Sequence, residues 1–567
     1  MSNNLPIFEP NKLYLVPLGG LGEIGKNMMF FQYNNEIIVI DAGFMFPNQE
    51  MFGIDFVLPD YNYLVANKDK IKGVILTHGH EDHVGALPYL LPNLETPVYG
   101  TRLTLGLVKS KLREFEILNQ TELHEIDPSQ ELSLGAFNIR FIRNIHSIPD
   151  GVGLAINTPV GLVVHSGDFK FDQTPIDTTT VEFSKLASFA REQPLLLLSD
   201  STYADRPGYS LPEKLVGEAL HQIFREAKGR IIVTTFASSL PRIKQILQVA
   251  DLHRRKVAFV GRSLVNNVRI AEELDYLYIP EGMEVRMEDL TNYNHKDICI
   301  ITTGSQGEPM SALSLMATKS HKWVEIVKGD TVIFSATPVP DNEGIVLRNV
   351  NALFRLGAHV IYSVSTKADP TSSLSYQVHV AGHAHQEELK LLLNLVQPKF
   401  FVPIHGEYRH LVYHARIAQQ VGIPEDDVLI ATNGDILEFT ATTARIAGRI
   451  SLSSMFVDGA GVGEVGRTVL RERHHLAQEG IVIVGACIKR GDGELIDGPY
   501  MTSKGFIHQN EAELLFTLAR EELLPLFKFN SSSQNGALKG ALKDRLARFF
   551  LEKTKRRPII IPIITEV

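Results

Sequence analysis

The chain has 567 residues, of which 44% are hydrophobic, and a formal net charge of −9 at pH 7. This length exceeds what a single hydrophobic core supports and the apolar content is ordinary, so we expect two to four folded domains and exclude a largely disordered protein. The negative charge disfavours a protein that coats nucleic acid through basic clusters, although bound divalent cations would add positive charge that this count omits.

No apolar stretch reaches the ~20 residues that a membrane span requires, and the N-terminus lacks the basic and apolar pattern of a signal peptide. We therefore expect a cytoplasmic protein without a membrane partner. Both cysteines, Cys299 and Cys487, lie in apolar runs and are interpreted as buried core thiols. Any zinc site in this chain would then depend on histidine and aspartate ligands.

From Leu13 to about Ser201, short β-rich runs such as LYLVPLGG, EIIVIDAG and KGVILTHGH alternate with turns. Apolar runs bounded by Gly, Asn and Asp predict buried strands. Polar residues stand at the carboxyl ends of four of these strands, namely Asp41, His78, His146 and Asp168. Because α/β proteins gather functional side chains on the loops at strand ends, we expect a site there.

A regular alternation of strand and helix patterns follows LLLLSDSTYADRPGYS and predicts a second, doubly wound α/β unit. The first unit then resumes in HQEELKLLLNLVQPKFFVPIHGEYRH, which indicates a helix, a proline turn, and a strand that ends in a histidine. A third segment ends in the amphipathic stretch ALKGALKDRLARFFLEKTKRR. The predicted domains are residues 1–202 and 366–445 for the two parts of the first unit, 203–365 for the inserted unit, and 446–567 for the C-terminal segment.

The stretch THGHEDHVGAL places His78, His80, Asp82 and His83 within one tight turn between a strand and a helix. A single ion cannot use all four ligands and keep an open coordination position. Two neighbouring divalent cations can, with His78 and His80 on one ion and Asp82 and His83 on the other. The motif therefore predicts a centre that holds two metal ions.

Further ligands are expected from His146, Asp168 and His405, each of which follows a predicted strand. Asp168 is suited to bridge the two ions through its two carboxylate oxygens. Asp41 is better placed to orient a ligating histidine or a bound water than to bind metal. Such a centre would lower the pKa of bound water toward ~7 and stabilise charge on the group under attack, which predicts a hydrolase.

These motifs resemble the metallo-β-lactamase fold, in which THGHEDHVGAL matches the signature loop and IDAG, IHS, SGDF and PIHGE occur in the expected order. The long insertion between Asp168 and His405 resembles that of the β-CASP subgroup, which acts on nucleic acids. Within that subgroup the chain resembles the ribonuclease J family over nearly its whole length. The stretches that match are VPLGGLGEIGKNM, DAGFMFPNQEMFGIDFVLPD, HSIPDGVGLAINTPVGLVVHSGDFKFDQTP, TTGSQGEPMSALSLMA and HVAGHAHQEELKLLL.

The resemblance implies an α/β fold: a metallo-β-lactamase αββα sandwich, an inserted doubly wound β-CASP domain, and a small α/β C-terminal domain that mediates oligomerisation. It implies a bacterial cytoplasmic ribonuclease with 5′-to-3′ exonuclease and endonuclease activities in mRNA decay and in the maturation of rRNA and other RNA. The implied cofactors are two Zn²⁺ per subunit, which Mn²⁺ can replace or activate. The implied partners are single-stranded RNA with a 5′ monophosphate, a second copy in a homodimer or homotetramer, a paralogue, and other RNA-decay proteins.

The resemblance also assigns roles to individual residues. The implied metal ligands are His78, His80, Asp82, His83, His146, Asp168 and His405. The implied catalytic residues are Asp82, Asp41 and His383, the last as a proton donor near the leaving group. The implied substrate-binding residues are His379, Val380, Ala381, Gly382, His383, Ser238, Ser305, Gln306 and Glu308. A structural calcium of some relatives implies ligands at Phe52, Ile54 and Asp458.

Two of the positions that depart from the family pattern are Ala381 and Tyr203. Ala381 stands where serine is common, so the loop lacks a hydroxyl for the RNA phosphate, and backbone N–H groups of Gly382 and His383 would have to bind it. Tyr203 stands where asparagine is usual. The change at Ala381 puts tight recognition of a 5′ phosphate in doubt, and the change at Tyr203 predicts a shifted substrate selectivity.

Three other functions compete with the processive ribonuclease. One is a catalytically weak paralogue that scaffolds a ribonuclease J complex, although such a subunit would be expected to have lost ligands. Another is a β-CASP nuclease that acts on DNA. The third is a small-molecule hydrolase of the parent fold, which the long insertion disfavours.

Overall fold

The computed structural model describes residues 8–48, 50–176, 180–308, 310–338, 342–362, 376–459, 461–463, 465–490, 493–528 and 535–567. The chain divides into two compact units, Met1–Phe46 with Phe56–Met455, and Pro47–Asp55 with Phe456–Val567. The predicted boundary at 365/366 lies outside the described residues. Within the described ranges, no helix is long and apolar enough to cross a bilayer.

Two facing sheets form the centre of the first unit. The eight-stranded sheet runs, in spatial order, through Ala444–Arg449, Asp435–Phe439, Leu13–Gly19, Met28–Tyr33, Glu36–Ile40, Ile71–Ile75, Val98–Gly100 and Leu123–Glu125. The six-stranded sheet runs through Phe400–Ile404, Leu196–Asp200, Leu162–His165, Val152–Asn157, Phe137–Arg143 and Leu132–Leu134. One apolar cluster drawn from both sheets fills the space between them.

Alternation of residues along a strand decides which face meets this core. In the strand Phe137–Arg143, Phe137, Ile139 and Phe141 are buried in the cluster between the sheets, whereas Asn138 is exposed. Successive side chains of a strand point to opposite faces, so this period of two orients the strand. Burial of such phenylalanine and isoleucine side chains stabilises the fold by roughly 1.5–3 kcal/mol for each residue.

Helices cover the outside of the sandwich, so four layers result. Helices that follow the strands of the eight-stranded sheet are Asn62–Ala66, Glu81–Val84, Leu87–Leu94 and Arg102–Glu114. Helices that pack on the outer face of the six-stranded sheet are Phe183–Phe189, Gln386–Val396 and Tyr408–Gln420. The αββα sandwich predicted from the motifs is confirmed.

The inserted segment contains a separate five-stranded sheet in which every pairing is parallel. Its spatial order is Lys256–Val260, Ile298–Thr302, Ile231–Thr234, Thr331–Phe334 and His359–Tyr362. One apolar cluster packs one face against the helices Lys214–Glu226, Leu240–Leu252 and Arg262–Glu273. A second cluster packs the other face against Ala312–Ala317 and Glu343–Arg355. Helices on both faces of a parallel sheet are the predicted doubly wound arrangement, which is confirmed.

The second unit contains a three-stranded sheet in the order Leu495–Lys504, Ile481–Ile488 and Ile559–Glu566. Alternate residues of Ile481–Ile488 are buried, and their cluster includes residues of the helices Gln509–Lys528 and Asn535–Thr554. A third helix, Arg467–Glu479, leads into the central strand. Cys299 is buried as predicted, but Cys487 is only half-buried because it lies on the strand face opposite the helices.

Candidate active site

The turn that carries the THGHEDH motif follows the strand Ile71–Ile75 and enters the short helix Glu81–Val84. The segment around Gly43 presses against this turn. A Cβ atom added at Gly43 would lie 1.6 Å from the carbonyl oxygen of Asp82, so only glycine permits this approach. The motif is thus held by backbone contact at the carboxyl end of the strand.

Potential metal ligands form four overlapping groups, of which two triads share no residue and the other two both contain Asp168. In the first group, Nδ1 of His80 lies 3.0 Å from Nε2 of His78 and 3.2 Å from Nε2 of His146. The second group is Asp82, His83 and His405. Within each group the ligand atoms lie no more than 4.8 Å apart.

Asp168 lies between the two groups. Its Oδ2 atom is 3.7 Å from Nε2 of His78 and 3.8 Å from Nε2 of His146 in one group. The same atom is 3.3 Å from Nε2 of His83 and 3.5 Å from Nε2 of His405 in the other. Two ligands at ~2.1 Å from a tetrahedral ion are separated by roughly 3.4 Å, so these spacings fit shared metal coordination. All seven predicted ligands are brought together.

The first group presents neutral imidazoles. Burial lowers the pKa of His78 and of His146 well below 6.5, and neighbouring histidines lower both further. Burial likewise lowers the pKa of His80 to about 4. Neutral imidazole is the form that coordinates metal, so this group needs no deprotonation near neutral pH.

In the second group, nearby carboxylates oppose the effect of burial on the two imidazoles. Burial alone would raise the pKa of Asp168, but His405, His83 and His78 hold it well below its usual range. Burial would lower the pKa of His83 and His405, but the nearby carboxylates, Asp168 foremost, raise both well above 6.5. The cluster therefore attracts positive charge, and cations that bind here displace protons.

Asp41 contacts His83 at Nδ1, the ring nitrogen that faces away from the ligand cluster. Its Oδ2 lies 2.8 Å from Nδ1 of His83 and accepts a hydrogen bond from Thr77 Oγ1 at 2.8 Å. Its Oδ1 accepts one from Thr77 N at 2.8 Å. This contact directs Nε2 of His83 toward the centre. The backbone of Asp41 is left-handed, with φ of 60°, a strained conformation that clusters at functional sites.

The loop 379–383 contacts the first group directly. Nδ1 of His146 lies 2.7 Å from the carbonyl oxygen of Gly382. A Cβ atom at Gly382 would approach Cε1 of His146 to 3.1 Å, which favours glycine there. Val380 is buried and His379 is half-buried, and Ala381 and Gly382 line a cavity together with His146.

Asp200, which the sequence reasoning did not select, joins this loop to the second group. Its Oδ2 lies 2.7 Å from Nδ1 of His383, and its Oδ1 lies 3.3 Å from Nδ1 of His405. Thr202 Oγ1 also lies 2.5 Å from Nδ1 of His405. Asp200 ends the buried strand Leu196–Asp200 in the same way that Asp41 and Asp168 follow theirs, so the strand-end signal was available.

The other predicted substrate-binding residues lie near the carboxyl ends of strands in the five-stranded sheet. Ser238 and the segment 305–308 follow two adjacent strands of the five-stranded sheet, Ile231–Thr234 and Ile298–Thr302. Ser305 and Gln306 are buried, whereas Glu308 is exposed. Among the described residues, no hydrogen bond or ring contact joins Ser238, Ser305 or Glu308 to the histidine and aspartate cluster.

Tyr203 packs beside the loop. Its ring makes edge contacts with His383 and His385 at centroid distances of 5.7 and 5.8 Å. The guanidinium of Arg206 lies 3.8 Å from the centre of the same ring, within the range of a cation–π contact. The aromatic side chain thus supports the residue that the resemblance places near the leaving group.

An arginine donates hydrogen bonds to two of the three predicted calcium ligands. Arg473 Nη1 donates a hydrogen bond of 3.0 Å to the carbonyl oxygen of Phe52, and Nη2 donates one of 2.5 Å to Oδ2 of Asp458. Ile54 is buried. A guanidinium already supplies positive charge between Phe52 and Asp458, so these residues do not fit a calcium ion in this arrangement.

Family models match four segments of the chain. The segments are residues 21–199 for the metallo-beta-lactamase superfamily, 228–353 for the ribonuclease J beta-CASP domain, 375–429 for the Zn-dependent metallo-hydrolase RNA specificity domain, and 468–567 for the ribonuclease J C-terminal domain. These segments lie on both sheets of the sandwich, on the inserted sheet, and on the second unit.

Curated relatives match over the full chain. Ribonuclease J2 of Bacillus subtilis (strain 168) is 39% identical over 556 residues, which cover 98% of each chain. Ribonuclease J 1 of Streptococcus pyogenes is 38% identical, again over 98% of each. Ribonuclease J 2 of Staphylococcus aureus (strain NCTC 8325 / PS 47) is 36% identical over 99% of this chain and all of its own.

One similar solved structure supports the fold alone. It is a protein of unknown function from Enterococcus faecalis V583, with a TM-score of 0.52 and 14% identity over 76% of this chain and all of that chain. The family matches and full-length relatives, together with the histidine and aspartate cluster, identify a metal-dependent RNA hydrolase. This chain belongs to the ribonuclease J family.

Proposed function

We propose that this chain is a 5′-to-3′ exoribonuclease and endoribonuclease that hydrolyses RNA phosphodiesters with two divalent cations, in mRNA decay and in the maturation of rRNA and other RNA. The observation that carries the proposal is the position of Asp168 Oδ2, which lies 3.3–3.8 Å from imidazoles of both ligand groups. The complete ligand set favours a catalytic chain over a scaffolding paralogue. The full-length relatives named ribonuclease favour RNA over DNA or a small molecule.

Zn²⁺ or Mn²⁺ bound by the seven ligands would supply a hydroxide near neutral pH and stabilise charge on the phosphate. The residues of the chain supply the remaining chemistry. His383 is oriented by Asp200 through its Nδ1, which leaves Nε2 to give a proton to the departing 3′ oxygen. Asp41 orients His83, and Asp82 completes the second group beside the attacked phosphate.

The proposed substrate is single-stranded RNA with a 5′ monophosphate. The loop 379–383 would hold a phosphate through backbone N–H groups, because Ala381 has no hydroxyl. Ser238, Ser305, Gln306 and Glu308 would contact RNA farther from the metal ligands, at the edge of the five-stranded sheet. We assign residues 1–202 and 366–445 to the metallo-β-lactamase domain, 203–365 to the β-CASP domain and 446–567 to the linker and C-terminal domain.

The proposed assembly is a homodimer or homotetramer in the bacterial cytoplasm, formed through the C-terminal sheet. The face opposite the helices carries exposed apolar side chains: Ile561 is 41%, Ile563 52% and Tyr500 62% exposed. The strand pairing aligns these residues with Ile483 and Gly485 of the central strand. Exposed apolar patches of this kind mark protein interfaces.

Digestion of end-labelled RNA tests the activity. With Mn²⁺ and 5′-monophosphorylated single-stranded RNA, the protein should release mononucleotides from the 5′ end, and an RNA with a blocked 5′ end should be cut internally. The double variant Asp82→Ala, His83→Ala should do neither. RNA cleavage that persists in the double variant would overturn the metal mechanism, and cleavage of DNA in preference to RNA would overturn the substrate assignment.

A further inference from the structure

Glu388 is a fully buried acid that the proposed chemistry does not use. It lies in the first turn of the helix Gln386–Val396 and is 0% exposed. A buried carboxylate is costly unless hydrogen-bond donors or a cation satisfy it. The donors that satisfy it therefore indicate what the residue does.

Four hydrogen bonds converge on this carboxylate. Oε1 accepts from the backbone N–H of Phe171 at 2.8 Å and from the hydroxyl of Ser210 at 2.9 Å. Oε2 accepts from the backbone N–H of Ser210 at 2.7 Å and of His385 at 2.9 Å. Three of the four donors are backbone groups, so the bonds fix main chain rather than mobile side chains.

The donors belong to three segments that each carry a residue of the site. Phe171 is three residues beyond Asp168, which lies between the two ligand groups. Ser210 is in the loop that follows Asp200. His385 is two residues beyond His383. One carboxylate therefore ties together the backbone that presents a shared metal ligand, the orienting aspartate and the proton donor.

Helix capping accounts for only one of these bonds. A glutamate at the third helical position commonly accepts a hydrogen bond from the N-cap backbone, which here is His385 N. The other three bonds reach segments that are 178 and 217 residues away along the chain. A cap alone would not need them.

We propose that Glu388 is a positioning residue that keeps His383 and Asp200 in register with Asp168. The inference rests on the proposed ribonuclease activity. Among the described residues, the hydrogen-bond partners of Glu388 do not include a side chain of the predicted metal ligands, so its loss should leave metal binding largely intact and misplace the proton donor. Misplacement by about 1 Å costs roughly a hundredfold in rate in such sites.

The test is Glu388→Gln in the full-length protein. The amide has the shape of the carboxylate, but its NH₂ group faces two of the four donors, at least one of which is a backbone N–H that cannot accept a hydrogen bond. We expect kcat for 5′-monophosphorylated RNA to fall about tenfold or more, with bound metal and KM within about twofold of wild type. A purely structural role would lower the melting temperature and leave kcat per folded molecule unchanged.

Glu438→Gln is the matched control. Glu438 is also a buried glutamate that accepts several hydrogen bonds, from Lys12, Tyr14 and Arg445, but it lies on the strand Asp435–Phe439 away from the ligands. Its variant should lose stability and keep kcat. Equal kcat values for Glu388→Gln and wild type, or equal losses in both variants, would overturn the proposal.

If Glu388→Gln does not fold, Ser210→Ala tests the positioning role of Glu388 instead. It removes one of the four bonds, so a fall in kcat of about threefold at unchanged metal content supports the positioning role, and an unchanged kcat overturns it. A wild-type protein that cleaves no RNA with any divalent cation would count against the proposed function instead.

Discussion

At the scale of single residues, most histidines of the site have one ring nitrogen held by a neighbour. The Nδ1 contacts are Thr77 for His78, Asp41 for His83, Gly382 O for His146, Asp200 for His383 and Thr202 for His405. Each contact leaves Nε2 directed at the centre. Orientation by an outer partner typically changes metal affinity or activity 10- to 100-fold, so these contacts are part of the site.

Asp41→Asn tests the orientation of His83. The amide keeps the shape but exchanges a carboxylate oxygen for a donor, so His83 loses its preferred ring orientation. We expect about a 10- to 100-fold loss of metal affinity or RNA cleavage with little change in unfolding temperature. Metal titration of the folded protein, with RNA cleavage assayed on the same sample, measures both quantities. Unchanged metal affinity and activity would assign Asp41 a purely structural role.

Ala381→Ser tests the departure from the family pattern. The new hydroxyl would donate a hydrogen bond to a phosphate held by the loop 379–383, and a bond to a charged acceptor is worth roughly 1.5–3 kcal/mol. We expect the ratio of kcat/KM for 5′-monophosphate over 5′-hydroxyl RNA to rise about tenfold or more. Ser239→Ala, a change at another residue that lines the same cavity, is the control. An equal ratio in wild type and Ala381→Ser would place the 5′ phosphate elsewhere.

Some residues of the site could be predicted from the sequence, whereas others depend on contacts between distant segments. His78, His80, Asp82 and His83 are adjacent in the chain, so their convergence follows from one turn. Asp200 and Glu388 act through partners about 180 to 220 residues away, and no local pattern specifies such pairs. The hydrogen bond between Arg473 and Asp458 was also not predicted. An Asp-Gly turn does not indicate whether a metal ion or an arginine side chain will contact the carboxylate.

At the scale of elements, strand ends explain most of what could be predicted. The strands Glu36–Ile40, Ile71–Ile75 and Phe400–Ile404 are followed directly or within three residues by Asp41, His78 and His405. Apolar runs with abrupt polar ends specify both a strand and the edge where its site residue lies. The packing of the helix Tyr408–Gln420 is a tertiary property, and the burial of His414 was not predicted from the sequence.

The helix Tyr408–Gln420 provides a test of pH dependence. His414 is buried, lies 3.0 Å from Ser201 Oγ through Nδ1, and burial lowers its pKa to about 3. The unfolded chain takes up a proton near pH 6.5 and the folded chain does not. The folded state is therefore fully favoured above pH 6.5 and loses stability as the pH falls from 6.5 toward 3.

His414→Gln should remove this contribution. Between pH 7.5 and 5.5, the wild type should lose about 1.4 kcal/mol more unfolding free energy than the variant. Urea unfolding at the two pH values measures the difference. His124→Gln, a change at an exposed histidine, is the control and should behave as wild type. Equal pH dependence in wild type and His414→Gln would show that His414 is protonated in the folded state.

At the scale of the whole molecule, the assembly that we propose would form through the second unit. Ile563→Asp places a charge in the exposed apolar face of the C-terminal sheet, which would be costly to bury in an interface. We expect size-exclusion chromatography with light scattering to give the mass of a monomer for the variant and of a dimer or tetramer for the wild type. Glu566→Gln, near the end of the same strand, is the control. An unchanged oligomer in Ile563→Asp would move the interface to another surface.

Whether two metal ions drive RNA cleavage is tested by measuring bound metal and RNA cleavage on the same sample. Elemental analysis of the wild type should find about two divalent ions per chain, and that sample should cleave 5′-monophosphorylated RNA. Asp168→Ala removes the ligand between the two groups, so it should hold fewer ions and cleave no RNA. Full cleavage by Asp168→Ala, or by a wild type stripped of metal, would contradict the account.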